Sequence, residues 1–465
     1  MLNSSGGSGA TNDVAVAENS RFVVDWEDGS CSNFSCGIFA RAYDISGNPV
    51  TGQVLVTPTS TGSYEFGKSA IDNSGKFVVV YCRYIYNPNA PNSSEKIYFQ
   101  LFSAAGVAVG APVFVDFGTY PDITMAPGGN FDIAYSTIAY GVSNVFVKQF
   151  NLSGSQIGAR IIVENGPGAQ LGVPFIRMLC SGNFVVAYEY GNTANNQIAY
   201  IKRFNSLGYQ TGNRITVTTG NNNYPYNLSR EPLLYFSTGW FSVISSIQTP
   251  GTPPTDHKFD YYITRYDANG ILVTSDFLWH STSGSNPAAA GNSCGDYSLL
   301  YHDQATGNIM VKNYSYANVP SAPYMVNLYL PNSNLSYYIG LSSNFFIAAW
   351  DRQSTATVIN SMHSRMPLPS GTNNTIAGPS RSVCRLGCIN CQKTAVIGSP
   401  AVPGYIYQWS PQAYLSNPYA AQPTVTHPGG SGQYSITYTL TIRPSASSCC
   451  QRTETVVVNF SQGCK

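Results

Sequence analysis

Charge is what this sequence has least of. Lys, Arg, Asp and Glu together make up 10% of 465 residues, against about 25% in an average soluble chain. The formal net charge is +1, which removes any global electrostatic case for nucleic acid or an anionic lipid surface as a partner. No apolar run approaches the ~18 residues that a spanning helix needs, so no membrane span is expected. Strong helix formers are scarce. Tyr (33), Gly (43) and Pro (28) abound, and with Val, Thr and Asn they give the balance of strands and turns. Linear catalytic signatures are missing as well. There is no Gly-x-Ser-x-Gly elbow, and the five histidines (His257, His280, His302, His363, His427) are scattered singly, without metal-ligand spacing. Gly166-Pro-Gly168-Ala-Gln-Leu-Gly172 lacks the spacing and the following helix of a dinucleotide loop. No cofactor and no metal is expected, and on these grounds the chain is not expected to be an enzyme. What is present is 43% apolar residues, enough for an ordinary core.

Those residues recur. A run of aromatic, three mostly apolar residues and a second aromatic appears as Phe22-Val-Val-Asp-Trp26, Phe77-Val-Val-Val-Tyr81, Phe131-Asp-Ile-Ala-Tyr135 and Phe184-Val-Val-Ala-Tyr188. It continues as Phe241-Ser-Val-Ile-Ser245, Tyr297-Ser-Leu-Leu-Tyr301 and Phe346-Ile-Ala-Ala-Trp350, at steps of 55, 54, 53, 57, 56 and 49 residues. Two residues before the first aromatic stands Gly75, Gly129, Gly182, Gly239 or Gly295, which is a tight turn entering a strand. A second run ends in an aromatic each time, as in Ile38-Phe-Ala-Arg-Ala-Tyr43 and Ala199-Tyr-Ile-Lys-Arg-Phe204. Four residues later comes Gly47, Gly106, Gly154, Gly208 or Gly270, and then a short β-rich run such as Val54-Leu-Val-Thr57. Each unit thus reads as four strands joined by hairpin turns, the pattern of a propeller blade. A solenoid of stacked sandwiches is the rival arrangement. The repeated aromatics are expected to pack between blades.

The fold expected is all-β, a seven-bladed β-propeller followed by a small Ig-like (PKD-like) β-sandwich. Its boundaries are a Gly/Ser-rich segment 1–11, a propeller over 12–366 with blades starting near 12, 67, 121, 173, 231, 287 and 336, a linker 367–379 and a sandwich 380–465. The seventh unit has Met366 in place of its turn glycine and no clear outer strand. The unit Phe-Val-Val-x-Trp/Tyr … Ile-Phe-Ala-Arg-x-Tyr/Phe-Asp-x-x-Gly resembles repeats of large secreted bacterial surface proteins. That resemblance covers about four-fifths of the chain and implies an architecture and a cell-surface habitat, not a reaction. In the last domain, Gly404-Tyr-Ile-Tyr-Gln-Trp409-Ser-Pro, Tyr414-Leu-Ser-Asn-Pro418 and Thr437-Tyr-Thr-Leu-Thr-Ile442 are similar to PKD-like domains of secreted bacterial multidomain proteins. The resemblance implies a spacer, adhesive module or assembly point.

Eleven cysteines, six of them in the last 82 residues (Cys384, Cys388, Cys391, Cys449, Cys450, Cys464), suggest disulfides and an oxidising compartment. Cys31 and Cys36 could close a hairpin. Cys384-x3-Cys388-x2-Cys391 also has iron–sulfur spacing, but its setting in a cysteine-rich β-domain favours disulfides over a cluster or zinc. The N-terminus has neither a basic nor an apolar leader region, so a removed leader and an extracellular location are expected. Nine Asn-x-Ser/Thr sequons occur, among them Asn33, Asn92, Asn151, Asn227, Asn313, Asn334, Asn373 and Asn459. They leave glycosylation open without arguing for it.

Two functions compete. The first is a secreted structural or adhesive surface protein, with other surface proteins or glycans as partners, or self-associating head to tail as a filament subunit. An open edge on the last blade and a Gly/Ser-rich tail that only a partner would order motivate it. The alternative role for that tail is to complete the seventh blade of its own ring. The second function is a carbohydrate-binding or carbohydrate-active protein using Tyr-, Trp- and Asn-rich loops. An intracellular scaffold is a third option, which disulfides would exclude. No carboxylate pair can be picked from 23 acids by sequence alone, and the cluster Asp25, Glu27, Asp28 reads as a solvated loop. Asp72-Asn-Ser-Gly75 carries one residue too many for the Asp box of sialidase propellers and reads as an ordinary turn.

Overall fold

The structure is a computed structural model. It describes the chain apart from residues 1–9, 18–20, 29–36, 45, 59–62, 85–94, 140–141, 168–169, 172, 180, 192–197, 218–225, 236–238, 250–257, 282–286, 293–295, 304–307, 315–322, 328–336, 342–344, 355–357, 368–376, 386–391, 402–404, 431, 445–451 and 463–465. It divides into two compact units, Met1–Leu368 and Pro369–Lys465. All the regular elements among the described residues are strands, as the shortage of helix formers requires.

The first unit is a succession of small antiparallel sheets. Sheet 1 is β1 (Ala10–Val16), β2 (Arg21–Asp28), β3 (Gly37–Asp44) and β4 (Val54–Leu55). Sheet 2 is β5 (Ser63–Ile71), β6 (Phe77–Tyr84), β7 (Lys96–Phe102) and β8 (Ala108–Phe117). Sheet 3 is β9 (Thr119–Met125), β10 (Phe131–Ala139), β11 (Val142–Phe150) and β12 (Gln156–Pro167). Sheet 4 joins β13 (Gln170–Leu171) and β14 (Phe175–Met178) to β15 (Phe184–Gly191), β16 (Ile198–Phe204) and β17 (Ile215–Thr216). Sheet 5 is β18 (Tyr226–Tyr235), β19 (Phe241–Thr249), β20 (Lys258–Tyr266) and β21 (Leu272–Ser281). Sheet 6 is β22 (Ala288–Gly291), β23 (Tyr297–Asp303), β24 (Asn308–Tyr314) and β25 (Tyr324–Asn327). Sheet 7 is β26 (Tyr337–Leu341), β27 (Phe345–Ser354) and β28 (Val358–Pro367).

The repeat explains itself in these sheets. Its first aromatic stands opposite the aromatic that ends the next strand, and the two rings stack. The pairs Phe22–Tyr43, Phe77–Phe102, Phe131–Phe150, Phe184–Phe204, Phe241–Tyr266 and Tyr297–Tyr314 have centroids 4.5–5.5 Å apart and planes within 18°. Each such pair adds about 0.5–1.5 kcal/mol beyond its buried area. Each stack lies within one sheet, and its rings also pack between sheets as expected: Phe131 and Phe150 of sheet 3 meet Phe99 of sheet 2, and Phe77 and Phe102 share a core with Val23 and Ala40 of sheet 1. The turn glycines take left-handed backbone. At Gly106 (φ +75°) a Cβ would lie 2.5 Å from the Thr51 side chain of sheet 1, so this turn can close against its neighbour only without a side chain.

Sheet 7 packs on sheet 1. Ile347 shares a core with Val14, Phe22 and Val24, and a Cβ on Gly340 would come within 2.3 Å of Val16. Residues 10–16 form the first strand of sheet 1, close to the expected start of the first blade; of the segment 1–11 considered for closing the last blade, residues 1–9 lie outside the described residues. The innermost strands also begin earlier than the sequence boundaries, at Ser63, Thr119 and Tyr226 where 67, 121 and 231 were expected. A bulge or register shift interrupts each of them, between Glu65 and Lys68, Thr119 and Asp122, and Leu228 and Leu233. An extra residue breaks the two-residue alternation from which boundaries are read.

The second unit pairs β31 (Tyr405–Ser410), β33 (Tyr434–Pro444) and β34 (Arg452–Ser461) antiparallel and adds β29 (Arg381–Cys384) parallel to β34; β30 (Thr394–Val396) pairs β32 (Thr424–Thr426). Tyr407 and Trp409 are buried, while Ile406, Gln408 and Ser410 face solvent, the alternation expected of Tyr405, Tyr407 and Trp409. Trp409 Nε1 donates to Ala420 O at 3.0 Å and Tyr438 Oη to Ala413 O at 2.8 Å.

Candidate functional site

The innermost strands of the first unit enclose a cavity of about 180 Å³. Its walls come from β1, β5, β9, β14, β22 and β26, and it is largely polar, with Asp13, Ser69, Thr124, Asp122 and Arg177 contributing side chains. It is smaller than the ~300 Å³ of a drug-sized pocket, so it suits one ring or one small polar group.

Two of its acids have the same local duty. Asp122 Oδ2 accepts the Ile176 N–H of the next sheet at 2.7 Å and pairs with Arg177 Nη1 at 3.0 Å. Asp13 Oδ2 accepts the Ser69 N–H at 3.0 Å, and Lys68 Nζ stands 3.8 Å from Asp13 Oδ1. Each carboxylate staples one inner strand to the next. Lys68 also reaches over the Tyr338 ring of sheet 7, 5.2 Å from its centroid.

Asp25 is different. It lies in β2 directly opposite Asp13 and is completely buried. It occupies the fourth place of the repeated run, where the other units carry Val80, Ala134, Ala187, Ile244, Leu300 and Ala349. No hydrogen bond of normal geometry reaches either carboxyl oxygen. The Ser69 hydroxyl is close enough to favour the anion slightly, without closing such a bond. Burial first, and then the Asp13 charge, push the Asp25 carboxyl well above the usual carboxylate range. A buried acid facing a second acid keeps its proton. The reading of Asp25, Glu27 and Asp28 as a solvated loop is therefore corrected. All three belong to β2, and Glu27 Oε1 accepts the Phe66 N–H at 3.0 Å.

Many of the other described acids are committed elsewhere. Asp44 and Asp267 cap their own turns, accepting N–H groups two and four residues on. Asp72 does the same toward Ser74 and Lys76, which makes Asp72-Asn-Ser-Gly75 the ordinary turn expected. Asp116 accepts from Tyr135 Oη at 2.6 Å with Lys148 Nζ at 3.0 Å. Glu164 accepts from Tyr188 Oη at 2.5 Å with Lys202 Nζ at 3.3 Å. Burial raises both carboxyls, but these donors outweigh it and hold both below the usual range. Asp132 is pushed up to about 7 by burial, against hydrogen bonds from Gln149.

Among the cysteines expected in disulfides, Cys384 is disulfide-bonded. Cys31, Cys36, Cys388, Cys391, Cys449, Cys450 and Cys464 lie outside them. Cys82 is a buried free thiol. Of the sequons, Asn313 is buried and accepts from Ser298 Oγ at 2.6 Å, which closes it to a glycan. Asn151 caps a turn through Ser153 and Ser155, Asn459 accepts from Ser435 Oγ, and Asn227 lies in β18. Asn33, Asn92, Asn334 and Asn373 are outside the described residues.

An array of small antiparallel sheets whose inner strands line one polar cavity defines the class of the molecule as β-propeller-like. No protein family and no curated protein matches the chain. Solved structures similar to it include a protein of unknown function from Dyadobacter fermentans, at 8% identity over 78% of this chain and 96% of that one, TM-score 0.47. A polysaccharide lyase, an ulvan lyase, is 10% identical over 77% of this chain and 93% of its own, TM-score 0.48. An α-L-arabinofuranosidase of Fusarium graminearum is 13% identical over 64% and 92%, TM-score 0.44. Identities this low bear on no residue. The expectation that the chain is not an enzyme is corrected nonetheless: it rested on missing linear motifs, and a missing linear motif excludes nothing. In a propeller the reacting groups come from separate sheets, and no linear motif need form. The candidate that sequence reasoning missed, Asp25, carried one signal: it is the charged exception at a position that is apolar in the other copies.

Proposed function

We propose that the chain is an extracellular carbohydrate-active or carbohydrate-binding protein. In this reading the seven sheets are blades of one closed propeller, and the inner cavity receives a sugar beside Asp13, Ser69, Asp122 and Arg177. The observation that carries it is the Asp13–Asp25 pair. Asp13 reaches the cavity, and Asp25 behind it holds a proton in a site built for an apolar side chain. Directly opposed residues have Cβ atoms about 4.5–5.5 Å apart, so the two carboxyls share one local field. With Asp25 sealed from the cavity, Asp13 alone can exchange a proton with the sugar, as a general base toward a C–H or an attacking water. Asp13 is the group that meets the sugar. Asp25 is a positioning residue that sets Asp13's charge from behind. The Cys384 disulfide supports an oxidising, extracellular setting. The C-terminal unit then serves as a PKD-like, Ig-like spacer.

The test is incubation with neutral and acidic polysaccharides, scoring new reducing ends and the ultraviolet absorbance of new C=C bonds. D13N is expected to abolish turnover, and D25N to fold and shift its pH profile. Neither binding nor cleavage of any polymer by the native chain would sink the reading.

One observation favours a second reading, an adhesive or self-assembling surface protein. The outer strand β8 leaves Val109, Phe114 and Phe117 about half exposed, at 48%, 46% and 54%, and a free apolar edge invites another strand. Concentration-independent monomers in sedimentation would dispose of it.

A further inference from the structure

Phe66 and Tyr120 are aromatic residues in left-handed backbone, with φ +58° and +53°. A bulky residue there is a genuine outlier, and such outliers gather at ligand sites. The two stand 54 residues apart, at one position of the repeat. Each lies in the bulge of an innermost strand, two residues before Lys68 and Asp122 respectively. Glycine would take this conformation without strain. Gly67 stands next in the chain, yet the positive φ falls on Phe66. The rings meet at 4.8 Å between centroids with their planes 55° apart, which makes an open wedge and leaves Phe66 38% exposed. The wedge is fixed from behind, because Phe66 N–H donates to Glu27 Oε1 at 3.0 Å. Phe66 and Tyr120 lie on β5 and β9, strands whose later residues line the cavity.

We infer that Phe66 and Tyr120 form a stacking platform for one sugar ring of an oligosaccharide whose next residue enters the cavity. This rests on the carbohydrate reading above. A sugar ring presents an apolar C–H face and a polar rim. The two rings, with Glu27 holding the Phe66 N–H and Lys68 and Asp122 two residues further along the same strands, offer the matching pair of surfaces. Rings carried on strained bulges of rigid strands are already set for a ligand, so little ordering cost falls on binding.

Affinity electrophoresis tests it, through gels containing linear arabinan, xylan, polygalacturonate or ulvan, on the native chain and on F66G, Y120G, the double variant and F66Y. At least one polymer is expected to retard the native protein. Affinity for that polymer is expected to fall about tenfold or more in each glycine variant, while F66Y keeps it. Melting temperatures of the glycine variants should not fall, because glycine relieves the backbone. Retention within about twofold in the double variant overturns the platform and leaves the carbohydrate reading standing. No retardation of the native protein overturns both. Loss of binding together with a lower melting temperature in every glycine variant assigns the rings to packing and also overturns the platform.

Discussion

Asp13 and Asp25 face each other across β1 and β2, one at the cavity and one wholly buried. Two facing carboxylates out of water cannot both ionise cheaply, and burial decides which of them keeps its proton. A carboxyl whose folded pKa lies above its unfolded value of about 4 stabilises the fold below that value, and the contribution is lost as pH rises through the folded pKa. Asp25→Asn copies the neutral acid. Its melting temperature should match the native protein at pH 4 and exceed it at pH 8. A lower value at pH 8 would mean that Asp25 is ionised and paired. Asp13→Asn removes the facing charge that raises Asp25, so the decline, which starts near the unfolded value in both proteins, should level off at lower pH and be smaller than in the native chain; an unchanged profile would refute the coupling.

Asp132 gives the same sign with a defined window. Its carboxyl is buried, accepts from Gln149 Nε2 at 3.2 and 3.1 Å and is pushed up to about 7. Stability from this group should be full near pH 4 and decline up to pH ~7. The shift bounds the effect at about 4 kcal/mol. Asp132→Asn should flatten that decline in urea unfolding at pH 4 and pH 7.5; equal slopes for variant and native chain would refute it.

The repeat was legible because it is built of local rules. Hairpin glycines, cross-strand aromatics and alternation show in the order of residues, and Gly47, Gly75, Gly106 and Gly129 do take the positive φ their turns require. Asp25 was legible only in part: its departure from an apolar column is visible, but whether it is buried depends on the strand opposite it. Phe66 and Tyr120 were not legible. A bulge needs two strands to define it, and nothing in Tyr64-Glu-Phe-Gly67 or Thr119-Tyr-Pro121 tells a bulge from a strand end.

The Tyr–carboxylate clamps between sheets give a stability prediction. Tyr135 Oη donates to Asp116 and Tyr188 Oη to Glu164, each joining one outer strand to the next sheet. Tyr135→Phe and Tyr188→Phe should each cost about 1–3 kcal/mol, the range for a hydrogen bond to a charged group. The two share no partner, so the double variant should show their sum within ~0.5 kcal/mol. Chemical denaturation checks this, and strong non-additivity would mean that the interfaces are coupled through sheet 3.

Closure of the ring can be tested at one glycine. Sheet 7 and sheet 1 are not joined by a shared ladder among the described residues, so side-chain packing of β26 on β1 must hold them. A Cβ on Gly340 would lie 2.3 Å from Val16 Cγ2 and 3.1 Å from Val14 O, and the second neighbour is backbone, which cannot rotate away. Gly340→Val should therefore force the strands apart at a cost of about 1–3 kcal/mol or more, lowering the melting temperature and increasing the hydrodynamic radius. Gly52→Ala, where a Cβ meets nothing within 4 Å, should change neither. If Gly340→Val behaves like Gly52→Ala, sheets 7 and 1 are not in contact in solution, and the first unit is an open array of sheets instead of a ring.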